Sequence, residues 1–180
     1  DLVEMDEDVV SACRQYLPEN ACRLDDKRVH IYLTTPCASS AAARPSTTSY
    51  RGLHRPLRPL RGLLHPGVYG ICYNALKDDG IMVNQQGSPF YRHDAEAMQR
   101  SHKRIASTFP ISRVYQAHIP TYAAGYWLFG FASKKYHPID DFDREKWLKL
   151  HLKTKYYTVR LHAGAFFLPA FLEEMLEEVE

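Results

Sequence analysis

Apolar and polar positions alternate in short blocks, and the blocks change period along the chain. Leu2-Val3-Glu4-Met5 is a short apolar run ending in acids and predicts a buried strand. Glu7 to Leu17 places Val9, Val10, Cys13 and Leu17 on one helical face, and Pro18 ends it. Val29 to Leu33 is β-branched and aromatic, a strand. Gly67 to Lys77 predicts a helix stopped by Asp78-Asp79-Gly80, and Ile81-Met82-Val83 begins a second buried strand. Asp94 to Phe109 is a polar helix with Ala97, Met98, Ile105 and Phe109 inward. Ser112 to Ile119 and Tyr126 to Ala132 predict a strand pair joined through Thr121 to Gly125. Phe142 to Leu152 and Pro169 to Glu178 predict two further helices. This alternation predicts an α/β fold with a mostly parallel sheet and a C-terminal antiparallel strand pair.

One block fits neither period. From Thr34 to Pro66 no helix or strand can be assigned. The stretch has no acidic residue, and it carries Arg44, Arg51, Arg55, Arg58 and Arg61 with five of the 11 prolines. A structureless loop this long is uncommon inside a compact domain. Linker, disordered insertion and nucleic-acid arm are three readings, but the run lacks the interleaved aromatics that single-strand binding uses.

Composition sharpens this contrast. The whole chain has 23 Lys and Arg against 21 Asp and Glu, a net charge of +2. Without the five arginines of the odd block, 18 basic residues face 21 acidic ones, so the remainder is −3. Such a balance excludes a strongly basic nucleic-acid module. At 180 residues and 45% hydrophobic, the chain suffices for one domain with a core. No apolar run reaches the ~18–20 residues of a membrane span and no secretory leader is visible, so a soluble, cytoplasmic protein is expected. Cys13, Cys22, Cys37 and Cys72 form no Cys-x-x-Cys pair, and reduced thiols are expected rather than a disulfide frame or a zinc site. The first residues read like the middle of a protein.

A set of short motifs, in order, carries a resemblance. They are Leu2-Val3-Glu4-Met5-Asp6 with Tyr16-Leu17-Pro18, and Leu24-Asp25-Asp26 with Arg28-Val29. Ala75-Leu76-Lys77-Asp78-Asp79-Gly80 and Gln85 with Ser88-Pro89-Phe90 follow. Then come Ile119-Pro120-Thr121-Tyr122 with Gly125 and Trp127. Lys155-Tyr156-Tyr157, His162 and Ala165-Phe166-Phe167-Leu168-Pro169 close the series. The chain resembles the spermidine synthases, the polyamine aminopropyltransferases, outside the odd block, and its Ser-Pro-Phe resembles bacterial members.

The resemblance implies a Rossmann-like, methyltransferase-like fold and transfer of an aminopropyl group from decarboxylated S-adenosylmethionine to putrescine. The products are spermidine and methylthioadenosine. Decarboxylated S-adenosylmethionine is a co-substrate, and neither a further cofactor nor a metal is implied. Glu4, at a strand end, would hold the ribose diol; the competing reading, a carboxylate capping the next helix, suits Asp6 better. Gln85, after the fifth strand of the family, would hold nucleoside or amine. The family usually has Glu two positions later, where Gly87 stands. Tyr122 would face the amine, in a turn where Ala123 and Ala124 replace Pro and Ser and loosen the backbone. Trp127 would line the amine channel or else pack in the core. Tyr156, Tyr157 and His162 read as structural.

Other family parts are missing from the text. The small N-terminal β domain, which builds the family oligomer, and the glycine-rich cofactor loop would precede Asp1, so 1–180 is expected to be part of a catalytic domain. The gate loop Asp-Ser-Thr-Asp-Pro-x-Gly-Pro, whose aspartates hold the amine and serve as base, should lie within 34–66. Arg51 to Gly62 can be encoded so that skipping one base gives Val-Asp-Ser-Thr-Asp-Pro-Phe-Gly-Pro-Ser-Glu. Thr34 to Ser39 can be a shifted Asp-Asp-Ala-Val-Arg-Phe. An out-of-frame origin of 34–66 follows as an expectation, with the catalytic aspartate lost and little activity left in the chain as written. A non-catalytic partner of an intact synthase subunit and an S-adenosylmethionine-dependent methyltransferase are the alternatives.

Overall fold

The structure, a computed structural model, describes residues 1–34, 46–51 as backbone, and 67–179. The chain divides into two compact units, Asp1–Arg44 and Pro45–Glu180.

The first unit holds β1 (Leu2–Glu4), α1 (Glu7–Tyr16), α2 (Pro18–Ala21) and β2 (Ile31–Leu33). β1 and β2 pair in parallel, with Leu2 opposite Ile31 and Glu4 opposite Leu33. Asp6 caps α1, its carboxylate accepting the Asp8 N–H at 2.9 Å. Glu7 and Asp8 in the first turn and Arg14 in the last complement the helix dipole. Pro18 ends α1 as expected and also opens α2, where its missing N–H is not needed. The approach to β2 is fastened by Asp26, which accepts from Arg28 N, Nε and Nη2 at 3.0, 2.9 and 2.8 Å. These side-chain bonds, and then the backbone one, hold the Asp26 carboxyl below its ordinary pKa.

The second unit contains β3 (Ser46–Arg51), α3 (Gly67–Ala75), β4 (Leu76–Gly87), α4 (Arg92–Ala106), β5 (Ile111–His118) and β6 (Tyr126–Ser133). Three short helices follow: α5 (Arg144–Lys149), α6 (Val159–Ala165) and α7 (Ala170–Glu177). The sheet order is β3-β4-β6-β5, with β3 parallel to β4 and the other two pairings antiparallel.

Several boundaries differ from the sequence reading. No element was expected between 34 and 66, yet β3 lies there. Its Thr47, Thr48 and Tyr50 favour extended backbone, but a Ser/Thr strand shows no apolar alternation to detect. β4 begins at Leu76 rather than Ile81, because Asp78-Asp79-Gly80 stays extended. The register absorbs this, with Ser46 opposite Leu76 and Thr48 already opposite Ile81. The helix expected over 142–152 is shorter, starting after its cap Asp143, whose side chain accepts the Lys146 N–H at 2.8 Å. α6 was not foreseen; its signal is local, Thr158 accepting the Leu161 N–H at 3.0 Å.

Alternation along β4 and β6 gives the sheet two different faces. Met82, Asn84, Leu128, Gly130 and Ala132 share one face, where α4 and α7 pack and Met98, Val114, Leu128, Leu172 and Leu176 form a buried cluster. The opposite face is aromatic: Tyr115 stacks on Phe129 at 5.3 Å, and Phe166, just past α6, meets Tyr115 and Phe131. Gln116 ties the chain where it crosses between these faces, donating to the carbonyls of Gly164 and Phe167 at 3.4 and 2.9 Å.

Candidate active site

Three of the four expected site residues belong to the second unit. Tyr122 sits in the β5–β6 connection and Trp127 is the second residue of β6; their ring centroids lie 4.3 Å apart at 46°. The connection is closed by Ile119 N–H to Gly125 O at 2.7 Å, Tyr122 N–H to Ile119 O at 3.0 Å and Gly125 N–H to Tyr122 O at 2.8 Å. Gly125 has φ 65°, a left-handed conformation that glycine adopts without strain. Ala123 and Ala124 therefore stand in a turn that the backbone bonds and Gly125 shape. The Trp127 indole Nε1 is buried and donates to no group among the described residues. The two half-buried rings form an aromatic wall with one unused donor.

Gln85 is not after its strand, as expected, but inside it, two residues before β4 ends. It lies opposite Phe129 in β6, so it shares the sheet face of Phe129 and Trp127. Its neighbours Asn84 and Gln86 point the other way and are buried. Gly87 marks a register shift and has φ 95°. A glutamate at 87, the family's usual residue, would be strained on this backbone, and its Cβ would meet Asp94 Cβ at 3.4 Å.

Glu4 belongs to the first unit and ends β1. Its Oε1 accepts the N–H groups of Met5 at 2.7 Å and Asp6 at 3.2 Å. The carboxylate thus braces the turn into α1 while Asp6 caps the helix itself. The anticipated gate-loop positions, 52–62, lie outside the described residues, as does most of the adenine-contact stretch 34–39.

The C-terminal motif does structural work. His162 Nε2 faces the Pro138 carbonyl at 2.7 Å and Nδ1 faces the Tyr157 hydroxyl at 3.0 Å. A carbonyl only accepts, so Nε2 carries the proton and Nδ1 accepts from Tyr157. Phe142 stacks on the imidazole at 4.1 Å. Both ring nitrogens are engaged, which leaves His162 no free lone pair for a substrate. Burial pushes the Tyr157 phenol above its ordinary pKa. Tyr156 accepts the His118 N–H at 3.0 Å. Among the described residues, no group of three or more His, Cys, Asp or Glu could hold a metal ion, and no helix is long and apolar enough to cross a membrane.

The spermine/spermidine synthase domain matches residues 1–143. The chain belongs to that family. The polyamine aminopropyltransferase of Clostridium beijerinckii is 51% identical over 180 residues, covering 98% of this chain and 62% of the relative. That of Streptococcus pneumoniae serotype 4 is 50% identical over 184 residues, covering 100% and 63%. The chain thus spans a little under two thirds of the length of the curated relatives it matches. Among solved structures, spermidine synthase from Thermotoga maritima is similar at a TM-score of 0.88 and 33% identity, over 98% of this chain and 60% of that one. A spermidine synthase in complex with the transition-state analogue AdoDATO gives 0.85 and 32%, over 98% and 59%. The fold of this synthase-family chain is accordingly the Rossmann-like, methyltransferase-like α/β fold that the resemblance implied.

Sequence reading did not single out Asn84, Gln86 or Gly130. Three consecutive amides, Asn84-Gln85-Gln86, interrupt a strand that is otherwise apolar at its inward positions, but nothing local marks two of them as inward or ties them to Gly130.

Proposed function

We propose that the protein transfers an aminopropyl group from decarboxylated S-adenosylmethionine to putrescine, releasing spermidine and methylthioadenosine. The observation that carries this is an overall identity of about half, in matches covering 98% and 100% of this chain, to relatives named polyamine aminopropyltransferase. In the reaction an amine lone pair attacks the carbon beside the sulfonium. A C–N bond forms, the C–S bond breaks, and its electron pair neutralises the sulfur. The sulfonium is a good leaving group, so the protein's task is to position the two substrates and to accept the ammonium proton.

The residues suit these roles. Tyr122 and Trp127 offer aromatic faces to the methylenes and cation of a diamine. Gln85, on the same face as Trp127, supplies a neutral amide that binds without competing for the proton. Glu4 keeps Oε2 for a ribose hydroxyl while Oε1 is held by the backbone. The general base belongs to the gate loop, whose Asp-Ser-Thr-Asp-Pro text is absent from residues 34–66 as written.

The test is methylthioadenosine release from decarboxylated S-adenosylmethionine and putrescine. The chain as written should turn over little. A protein carrying the Asp-Ser-Thr-Asp-Pro text at 51–62, completed with the flanking segments of a relative, should turn over readily. No release from that completed protein sinks the function. Robust release by the 180-residue chain sinks the assignment of the base to the gate loop. Reading the gene in all three frames tests the out-of-frame origin separately, and absence of the gate-loop text from every frame refutes it.

A further inference from the structure

The layer between β4, β6 and α4 contains polar atoms that no group of the described residues satisfies. Asn84 is fully buried and Gln86 is 7% exposed. Asn84 Oδ1, Gln86 Nε2 and Gln86 Oε1 have no hydrogen-bond partner among the described residues. Leaving three such atoms dry in a core is costly, because each lost its water on folding. Both amides lie over Gly130. A Cβ there would stand 2.3 Å from Asn84 Oδ1 and 2.6 Å from Gln86 Nε2. Two atoms so close to one point are no more than about 5 Å apart, a span that one bridging molecule closes at ordinary hydrogen-bond lengths.

We infer that Asn84, Gln86 and Gly130 form a binding site for one internal water molecule. The chemistry of the set selects this ligand. It offers acceptors in Asn84 Oδ1 and Gln86 Oε1 and a donor in Gln86 Nε2. A metal cation satisfies only the oxygens and an anion only the nitrogen, whereas water both donates and accepts. Water also serves either orientation of the Asn84 amide. The other end of that amide is engaged: Nδ2 donates to Ser101 Oγ at 3.4 Å, and Ser101 Oγ meets the Tyr69 hydroxyl at 2.6 Å. The water therefore extends a polar chain running from α3 through α4 to the carboxyl end of β4. Gly130 is the enabling residue, since any side chain would occupy the space in which the two amides converge.

Two measurements on the 180-residue chain test this. In water-selective NMR, the Gln86 side-chain amide protons should show a cross-peak to a water resident for longer than a nanosecond. A folded protein with those protons assigned and no such cross-peak overturns the site. The second measurement is the sign of the Gln86→Met effect on the thermal midpoint. If the site is dry, a methionine of similar length relieves an unsatisfied amide and raises the midpoint. If it holds water, the substitution strands Asn84 Oδ1 and displaces a bonded molecule, and the midpoint falls. A fall supports the inference, and a rise or no change refutes it. Should Gln86→Met fail to fold, the wild-type spectrum decides alone.

Discussion

Leu172→Ala tests whether α7 is an integral part of the second unit, although it lies beyond the residues matched by the family. Leu172 has no exposed surface and packs in the cluster with Met98, Val114, Leu128 and Leu176. Truncation to alanine removes three carbon groups, roughly 2.4 kcal/mol of transfer free energy at about 0.8 kcal/mol each. The residual cavity adds to this, because sheet and helix relax only in part, and the total comes to about 3–4 kcal/mol. With a urea slope of about 2 kcal/mol per molar, the unfolding midpoint should fall by about 1.5–2 M. Both tryptophans, Trp127 and Trp147, lie in the same unit as Leu172, so their fluorescence reads its unfolding. Phe167→Ala is the control: the side chain is 67% exposed, and its loss should cost within about 0.5 kcal/mol. A Leu172→Ala cost below about 1 kcal/mol, or equal to the control, would refute the docking of α7 on the sheet.

Two further outcomes are expected. Gly125→Ala should destabilise by about 1–2 kcal/mol through backbone conformation alone, since φ is 65° while an added Cβ meets nothing within 4 Å; Gly125→Asn should cost less, and equal melting midpoints for all three proteins would contradict the turn geometry. The Asp26 carboxyl should titrate below its ordinary value because of Arg28, so its contribution to stability is present above the ordinary aspartate pKa and is lost as pH falls through the lower folded midpoint. Carboxyl-carbon NMR titration checks this: Arg28→Ala should move the Asp26 midpoint up, and an unmoved midpoint disproves the assigned cause.

Periodicity located most elements because their faces are one-sided. α4 shows it well, with Met98 and Ile105 buried and Arg92 and Arg100 in solvent-side pairs with Glu96. β3 escaped because serine and threonine carry no apolar alternation, and its strand character comes from pairing with β4. β4 began earlier than read because Asp-Asp-Gly can bulge an extended chain as readily as it ends one. At the site, the closeness of Tyr122 and Trp127 was legible through their shared turn. The inward-facing amides beside Gln85 were not, since polarity in a strand ordinarily signals the solvent side. What Asn84 and Gln86 face depends on a glycine in another strand, a pairing that no local pattern encodes.

The polar contacts of the C-terminal segment also bear on self-association. Among the described strands β5 is one of the two outer strands of its sheet, and an outer strand offers unpaired backbone groups to any similar chain that approaches. Here the Tyr156 hydroxyl occupies the His118 N–H, and Gln116 draws the 164–167 segment alongside the same strand. The region past the family match thus covers the C-terminal end of that margin, the part around Gln116 and His118.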